Sequence, residues 1–296
     1  LALGSEGTLG VITQATLRLH PLPEVQLYGS LVFPDWDAGC RFMKALTEMQ
    51  ATPASVRLVD NLQFQFGRAL KPGPQTGGLR TSLQKFFLQR VKGIDLEKMV
   101  ACTLVFEGQK REQEVAQGNV YRLARRFGGF PAGASAGKDG YNLTFGIAYL
   151  RDFLLQYWTM GDSFETSVPW SKVNEVIAAT KEAVSSTHSQ EGVRGHAFVT
   201  VRMSQAYTTG CCLYFYIGFY YRGLKDPLRV FRAIEHQARL AILDAGGALS
   251  HHHGIGQLRA PYLKSVKSEA ALDWVDRAQQ ALDPQGIFRN GNQGLN

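Results

Sequence analysis

Short runs of apolar residues and longer stretches with an apolar residue every three or four positions alternate along this chain, and together they set out its elements. Residues 27–33 read as a strand. Pro34-Asp35 then opens a helix whose Phe42, Met43, Ala45, Leu46 and Met49 share a face. Val56 to Val59 and Ala101 to Phe106 are short apolar strands. Ala116, Val120, Leu123 and Phe127 fall at helical spacing within residues 112–127, and Gly128-Gly129 is a stop signal. Residues 147–158, 170–184 and 228–243 also look helical, and strands at about 197–204 and 211–221 lie between the last two. Residues 71–80 and 131–140, rich in Gly, Pro and small polar residues, read as loops. At the start, Gly4 to Thr13 forms a Gly-rich turn running into a strand, which alternates loosely to Leu19 and is broken by His20-Pro21-Leu22-Pro23, a plausible boundary. The mixed order predicts an α+β fold: an antiparallel sheet covered by helices on one face.

Cys211 to Tyr221 has the sharpest pattern. Leu213, Phe215, Ile217 and Phe219 point one way, and Tyr214, Tyr216, Gly218 and Tyr220 the other. A strand with one apolar and one phenolic face is two-sided. Such a row can floor an active site with one hydroxyl as acid or base. Tyrosines also simply favour strands.

The 296 residues are 45% hydrophobic and 19% charged, which excludes a disordered, collagen-like or coiled-coil chain. No apolar run reaches the ~18 residues that a membrane span needs. Lys and Arg number 32 against 25 Asp and Glu, a net +7 that suits anionic substrates, phospholipid surfaces or nucleic acid. Nothing but charge supports nucleic acid, which is set aside. Four cysteines, two of them adjacent (Cys211, Cys212), make no disulfide framework and point to a reducing compartment. The chain opens on Leu1, within a motif that reads as the middle of something, so a preceding region is expected.

Four features carry candidate chemistry. Gly4, Gly7 and Gly10 recur every third residue among Ser5, Glu6 and Thr8, a spacing that lets backbone N–H groups approach a phosphate, although a plain tight turn has the same look. His251-His252-His253, flanked by Ser250 and Gly254, can converge in a loop for proton transfer or phosphate contact. No further Cys or His lies nearby in sequence, so no metal is expected there. Arg57, Arg151 and Arg202 sit in apolar segments and need a partner: a structural carboxylate such as Asp60 or Asp152, or an anionic substrate. Leu79 to Lys92 can be drawn as a basic amphipathic helix, suited to a membrane surface or a lid.

Taken together, these residues resemble a known group. Gly4 to Thr13 and the closing Leu282-Asp283-Pro284-Gln285-Gly286-Ile287-Phe288 resemble the vanillyl-alcohol-oxidase-type flavoproteins. Within that superfamily the chain resembles the alkyldihydroxyacetonephosphate synthase family over nearly its whole length. Pro53 to Asn61, Gln63 to Gly67, Ser163 to Trp170, Leu213 to Tyr216 and Leu249 to Gly254 carry the likeness. The resemblance implies FAD as cofactor. It implies exchange of the acyl group of acyl-dihydroxyacetone phosphate for a long-chain fatty alcohol through an adduct at flavin N5. It implies Glu6, Gly7, Thr8, Leu9, Gly10, Val11 and Ile12 as FAD contacts, and Tyr214 as the acid/base. His251, His252, His253 and Arg57 are implied in catalysis, and Arg151 at the substrate phosphate. Residues 1–22 would end the FAD-binding lobe, and 23–296 would form the FAD-linked oxidase C-terminal (cap/substrate) domain. A peroxisomal location, a peripheral membrane surface and a homodimer go with the family. The larger FAD lobe is missing and the ending departs from the family pattern, so this stretch alone is expected to bind FAD weakly and turn nothing over. The alternatives are a 2-hydroxy-acid dehydrogenase of the same superfamily and an inactive cap module.

Overall fold

Alternate residues of the strands turn their apolar side chains to one face of a sheet, and burying that face decides the architecture. The computed structural model describes residues 2–49, 52–70 and 95–294. Strands β1 (Val25–Phe33), β2 (Ser55–Val59), β3 (Val100–Gly108), β4 (Phe130–Pro131), β5 (Thr159–Pro169), β6 (Phe198–Ala206) and β7 (Gly210–Tyr220) pair in the order β4-β1-β3-β2-β6-β7-β5, antiparallel throughout. The helices are α1 (Trp36–Leu46), α2 (Asn61–Ala69), α3 (Lys110–Arg125), α4 (Ala134–Leu155), α5 (Val173–Gln190), α6 (Pro227–Asp244), the single turn α7 (Leu263–Val266) and α8 (Glu269–Leu282).

The core lies between the first face and α1, α3, α5 and α6. Phe33, Leu58, Phe106, Phe164, Met203 and Phe215 of the strands join Phe42, Val120, Val176 and Ile234 of these helices in one buried cluster. Helix starts are written locally. The Asp35 and Asp226 side chains accept the N–H of Ala38 and Arg229, and Pro227 occupies the first turn of α6. Asp60 caps α2 through Gln63 N–H and also takes Lys181 Nζ at 2.7 Å and Val201 N–H at 3.1 Å. Asp60 is therefore committed to Lys181, not to Arg57.

The second face differs from the expectation of helices on one side only, because α2 and α4 lie across part of it. Residues 131–140 were expected as a loop, yet α4 begins at Ala134. The glycines that suggested a loop serve close packing instead. A Cβ on Gly137 would sit 2.2 Å from the Gly29 carbonyl oxygen of β1, and one on Gly140 would sit 2.7 Å from Thr103 Cγ2 of β3. Two further expectations change. Residues 10–23 form no strand, and Val11, Ile12, Leu17, Leu19 and Leu22 are 66–94% exposed. The expected amphipathic helix at 79–92 lies outside the described residues. Among the described residues, no helix is long and apolar enough to cross a membrane.

Gly137→Ala in the full-length protein is expected to cost about 2 kcal/mol of stability, because a methyl group there meets fixed backbone. Denaturant unfolding measures this, and a loss below about 0.5 kcal/mol would show that α4 can slide away from β1.

Candidate active site

The second face carries a polar row that crosses three strands. In the sheet register, Arg202 of β6 is opposite Tyr214 of β7, and Tyr214 is opposite Glu165 of β5. Because Phe164, Val201, Leu213 and Phe215 point into the core, these three residues point the other way. The expected two-sided strand is present: Leu213, Phe215, Ile217 and Phe219 are buried, while Tyr214 and Tyr216 are half-exposed opposite them.

Glu165 organises the site. It is fully buried on an edge strand, and the chain after α6 turns around that edge. Ala248 donates its N–H to Ser167 O and accepts from the Thr166 hydroxyl at 2.6 Å. The next residues pass over the Glu165 carboxylate. It accepts the Ser250 hydroxyl at 2.7 Å and the backbone N–H of His251, His252 and His253 at 2.6, 3.1 and 2.8 Å. Burial pulls the Glu165 carboxyl upward. The bonds from His253 N–H, Ser250, His252 N–H and His251 N–H outweigh that pull and hold it below the ordinary carboxylate range.

The three imidazoles are thereby set beside the phenol. The His253 ring stands edge-on to the Tyr214 ring at 5.1 Å, and the His252 ring lies 6.0 Å from it. The Tyr214 hydroxyl shares a 3.1 Å hydrogen bond with Ser163. His251 and His252 share one between their Nδ1 atoms at 2.9 Å, and His251 Nε2 lies 3.0 Å from the Tyr207 hydroxyl. Burial, partly opposed by the Glu165 charge, lowers the His253 pKa, so its imidazole is neutral near neutral pH. Burial raises the Tyr216 phenol to about 12, which makes it a poor proton donor.

The arginines divide. Arg57 is on the same face, its guanidinium 5.6 Å from the Tyr141 ring of α4. Burial and the charge of Arg202 lower its pKa. Arg202 lies over the rings of Tyr214 and Tyr216, at 4.4 and 5.2 Å. Arg151, expected at the substrate phosphate, is exposed on α4 and pairs with Asp152 at 3.5 Å, its neighbour in the chain, rather than with the cluster.

The Gly-rich turn meets the same loop from its other side. The Glu6 carboxylate accepts Ile255 N–H at 2.6 Å and Gly256 N–H at 2.5 Å, directly after the histidines. Thr8 is buried and donates its hydroxyl to Ser5 O. Two side chains expected at the cofactor thus hold the protein together. What the turn offers outward is backbone, with Gly7 and Gly10 at φ 79° and 153°, and the exposed Val11 and Ile12.

Sequence reasoning missed Glu165, although a carboxylate between Phe164 and Thr166 in a strand was a signal. The premise used against a metal also fails. The fold brings Glu165 and Cys212 to His251 and His252, with one ligand atom from each within 4.8 Å of the others. Four hydrogen bonds already occupy the carboxylate, so the group reads as a loop anchor.

Comparison with known proteins shows what the chain as a whole is similar to. Residues 22–292 match the family model described as FAD linked oxidases, C-terminal domain. The chain is 39% identical over 294 residues to alkyldihydroxyacetonephosphate synthase of Caenorhabditis elegans, across 99% of this chain and 49% of that protein. Its identity to the Trypanosoma brucei brucei synthase is 28%, across 98% and 47%. A solved alkyldihydroxyacetonephosphate synthase matches at TM-score 0.74 and 23% identity, across 96% of this chain and 48% of that one, which supports the fold. The chain spans about half the length of the curated relatives it matches.

Glu165→Gln is expected to lower stability by about 2–4 kcal/mol, because an amide cannot accept the same set of bonds and carries no charge. The wild-type contribution has a defined pH sense. A carboxyl with a lowered folded pKa stabilises fully above its ordinary range near 4.5 and loses that contribution as pH falls through the folded value. Unfolding measured from pH 7 to 3 should show an acid loss that is smaller in the variant. Identical acid limbs would remove Glu165 from this role.

Proposed function

Because the chain belongs to the FAD-linked oxidase C-terminal domain family, we propose that its full-length protein is an alkylglycerone-phosphate synthase and that this chain supplies the substrate-facing sheet. Acyl-dihydroxyacetone phosphate and a long-chain fatty alcohol enter; the alkyl ether and a free fatty acid leave. The observation that carries this reading is the meeting of Tyr214 with His252 and His253, from distant stretches, over one sheet face.

The residues present fit a flavin. Glu6 ties the Gly-rich turn to the loop bearing the histidines, so Gly7 to Ile12 would hold the cofactor by backbone and apolar contact beside them. When bound, FAD supplies a ring that takes up and returns an electron pair, so the exchange needs no net oxidation. The chain's own groups handle protons. Tyr214, hydrogen-bonded to Ser163, moves the proton at the carbon beside the ketone. Neutral His253 accepts the proton that the alcohol hydroxyl must lose. The acyl group departs as a carboxylate. Arg57 adds positive charge where anionic groups gather. A peripheral membrane site, as in peroxisomes, agrees with these lipid substrates. The exposed aromatic residues Phe145, Tyr149, Phe153 and Tyr157, four apart along and just beyond α4, support it.

Tyr214→Phe in the full-length protein is expected to lower exchange about 10³-fold while the protein stays yellow, followed as label transfer from alcohol to ether. Wild-type turnover would remove Tyr214 from the mechanism. His252→Ala with His253→Ala should damage turnover far more than melting temperature. Bleaching of the wild-type flavin by a 2-hydroxy acid, with no label exchange, would overturn the synthase reading in favour of a dehydrogenase.

A further inference from the structure

The exchange proposed above balances only when one proton leaves. The alcohol gives up its hydroxyl hydrogen, and the departing acyl group is a carboxylate at neutral pH. The hydrogen taken from the carbon beside the ketone returns there. Each turnover therefore sets one proton free at the histidines, on a face that substrate and flavin would occupy. The rings beyond His253 form a column leading away from that face. Centroid to centroid, His253 lies 5.1 Å from Tyr214, His252 4.7 Å from His253, His251 5.2 Å from His252 and Tyr207 5.6 Å from His251. The column ends at the turn joining β6 and β7, where Tyr207 is exposed. That turn is fixed: Tyr207 N–H donates to Gly210 O at 2.8 Å, and the Tyr207 carbonyl accepts the Trp170 indole N–H at 2.9 Å.

The hydrogen bonds along the outer half of the column all run one way. The Gln205 side-chain oxygen only accepts, and the Tyr207 hydroxyl donates to it at 3.4 Å. The Tyr207 oxygen then accepts from His251 Nε2 at 3.0 Å. A neutral His251 with its hydrogen on Nε2 must accept at Nδ1, so His252 Nδ1 is the donor across their 2.9 Å contact. Cys212 Sγ lies 4.0 Å from that same His252 Nδ1. Burial raises the Cys212 thiol to about 11, so it stays neutral and draws no proton from the row.

We propose that Tyr207 is the outer relay of a proton exit that runs from His253 through His252 and His251 to solvent. The proposal rests on the exchange reaction above, and Tyr207 acts through His251 rather than on substrate or flavin. His253 passes its proton to His252 Nε2, directly or through one water. His252 releases the hydrogen on Nδ1 to His251 Nδ1, and His251 releases the one on Nε2 to the Tyr207 oxygen. Tyr207 gives its own hydrogen to water. Every bond to hydrogen that breaks is matched by one that forms, and no electrons change hands.

Tyr207→Phe in the full-length protein keeps the ring and removes only the hydroxyl. Label exchange, its solvent isotope effect, flavin content and the response to added imidazole are measured. The expected result is a fall of about tenfold in kcat, smaller than the ~10²-fold or more for a group acting on the reacting atoms. KM for both substrates, flavin content and melting temperature stay unchanged. The solvent isotope effect grows, and turnover recovers as imidazole is added. An unchanged kcat overturns the proposal. So does a fall that imidazole does not restore, or one that comes with a raised KM, since either makes Tyr207 a support of the loop and no relay. Nitrogen NMR spectra of protein labelled at histidine give a readout independent of activity. The wild type should carry hydrogen on His251 Nε2 and His252 Nδ1, and the His251 signal should shift in the variant. If the wild type performs no exchange, the functional reading falls. The tautomers then decide the row by themselves, and a neutral His251 with its hydrogen on Nδ1 overturns the outward order.

Discussion

A single buried carboxylate, Glu165, holds the functional face in register. Its strand lies at the edge of the sheet, so the chain leaving α6 can fold around that edge and present three successive backbone N–H groups to it. An irregular loop with unpaired N–H groups is costly to bury, and so is a lone carboxylate; each removes the other's penalty. The bonds go to backbone rather than to the imidazoles, which leaves the histidine rings unencumbered by the anchor and directed toward Tyr214 and Tyr207. The anchor also silences the one acid in the Arg202 row. Positioned histidines and a guanidinium that, among the described residues, pairs with no carboxylate are thus two results of one interaction.

Strand pleating explains why the site can coexist with a well-packed core. On β7 the residues that alternate with Tyr214 and Tyr216 are Leu213, Phe215 and Ile217, all in the buried cluster. The phenols inherit the rigidity of that packing without lying in it. The same division holds on β6, where Val201 and Met203 flank Arg202, and on β5, where Phe164 stacks on Phe215 beside Glu165. Polar chemistry is carried by strands, whose geometry varies little, and only the histidines come from a loop.

The sequence made this division legible on β7, because strict alternation sustained along a strand's length is the mark of a sheet buried on one face. The cap and apolar face of α1 and the long run of α6 were legible for the same local reasons. Strand β5 was not, since Gly161, Asp162, Glu165 and Pro169 dilute its apolar pattern, and its pairing with β7 comes from tertiary contact. The later part of helix α4 was legible at 147–158, but its first turns were hidden because Gly137 and Gly140 look like loop residues. They are small because β1 and β3 pass beneath them, a reason that lies far away in the chain. Residues 13–19 show the reverse: their loose alternation reads as a strand, and among the described residues the structure gives that stretch no strand partner. Glu165 escaped a motif-based reading because it is not distinctive alone, and Arg202 stood out only as one of three arginines in apolar segments. Their meaning lies in the rung that joins them through Tyr214.

The Gly-rich turn makes sense once Glu6 is viewed as a second anchor on the same loop. Glu165 holds the backbone of residues 251–253 and Glu6 that of residues 255–256, so the loop beyond His252 is gripped from both sides. Gly254 lies between the two grips at φ 78°, and a Cβ there would sit 2.6 Å from a Glu6 oxygen. Only glycine combines that backbone turn with so close a carboxylate. Asn292 and Gln293 bind the Glu6 and Gly4 carbonyls from behind, which ties the closing residues of the chain to its opening turn. Any displacement of residues 4–8 is therefore transmitted to the histidines through a pair of charge-assisted bonds rather than through flexible side chains. A group resting on the turn and a group held by the histidines would share one rigid support, as a cofactor and substrate that must meet at a single carbon require.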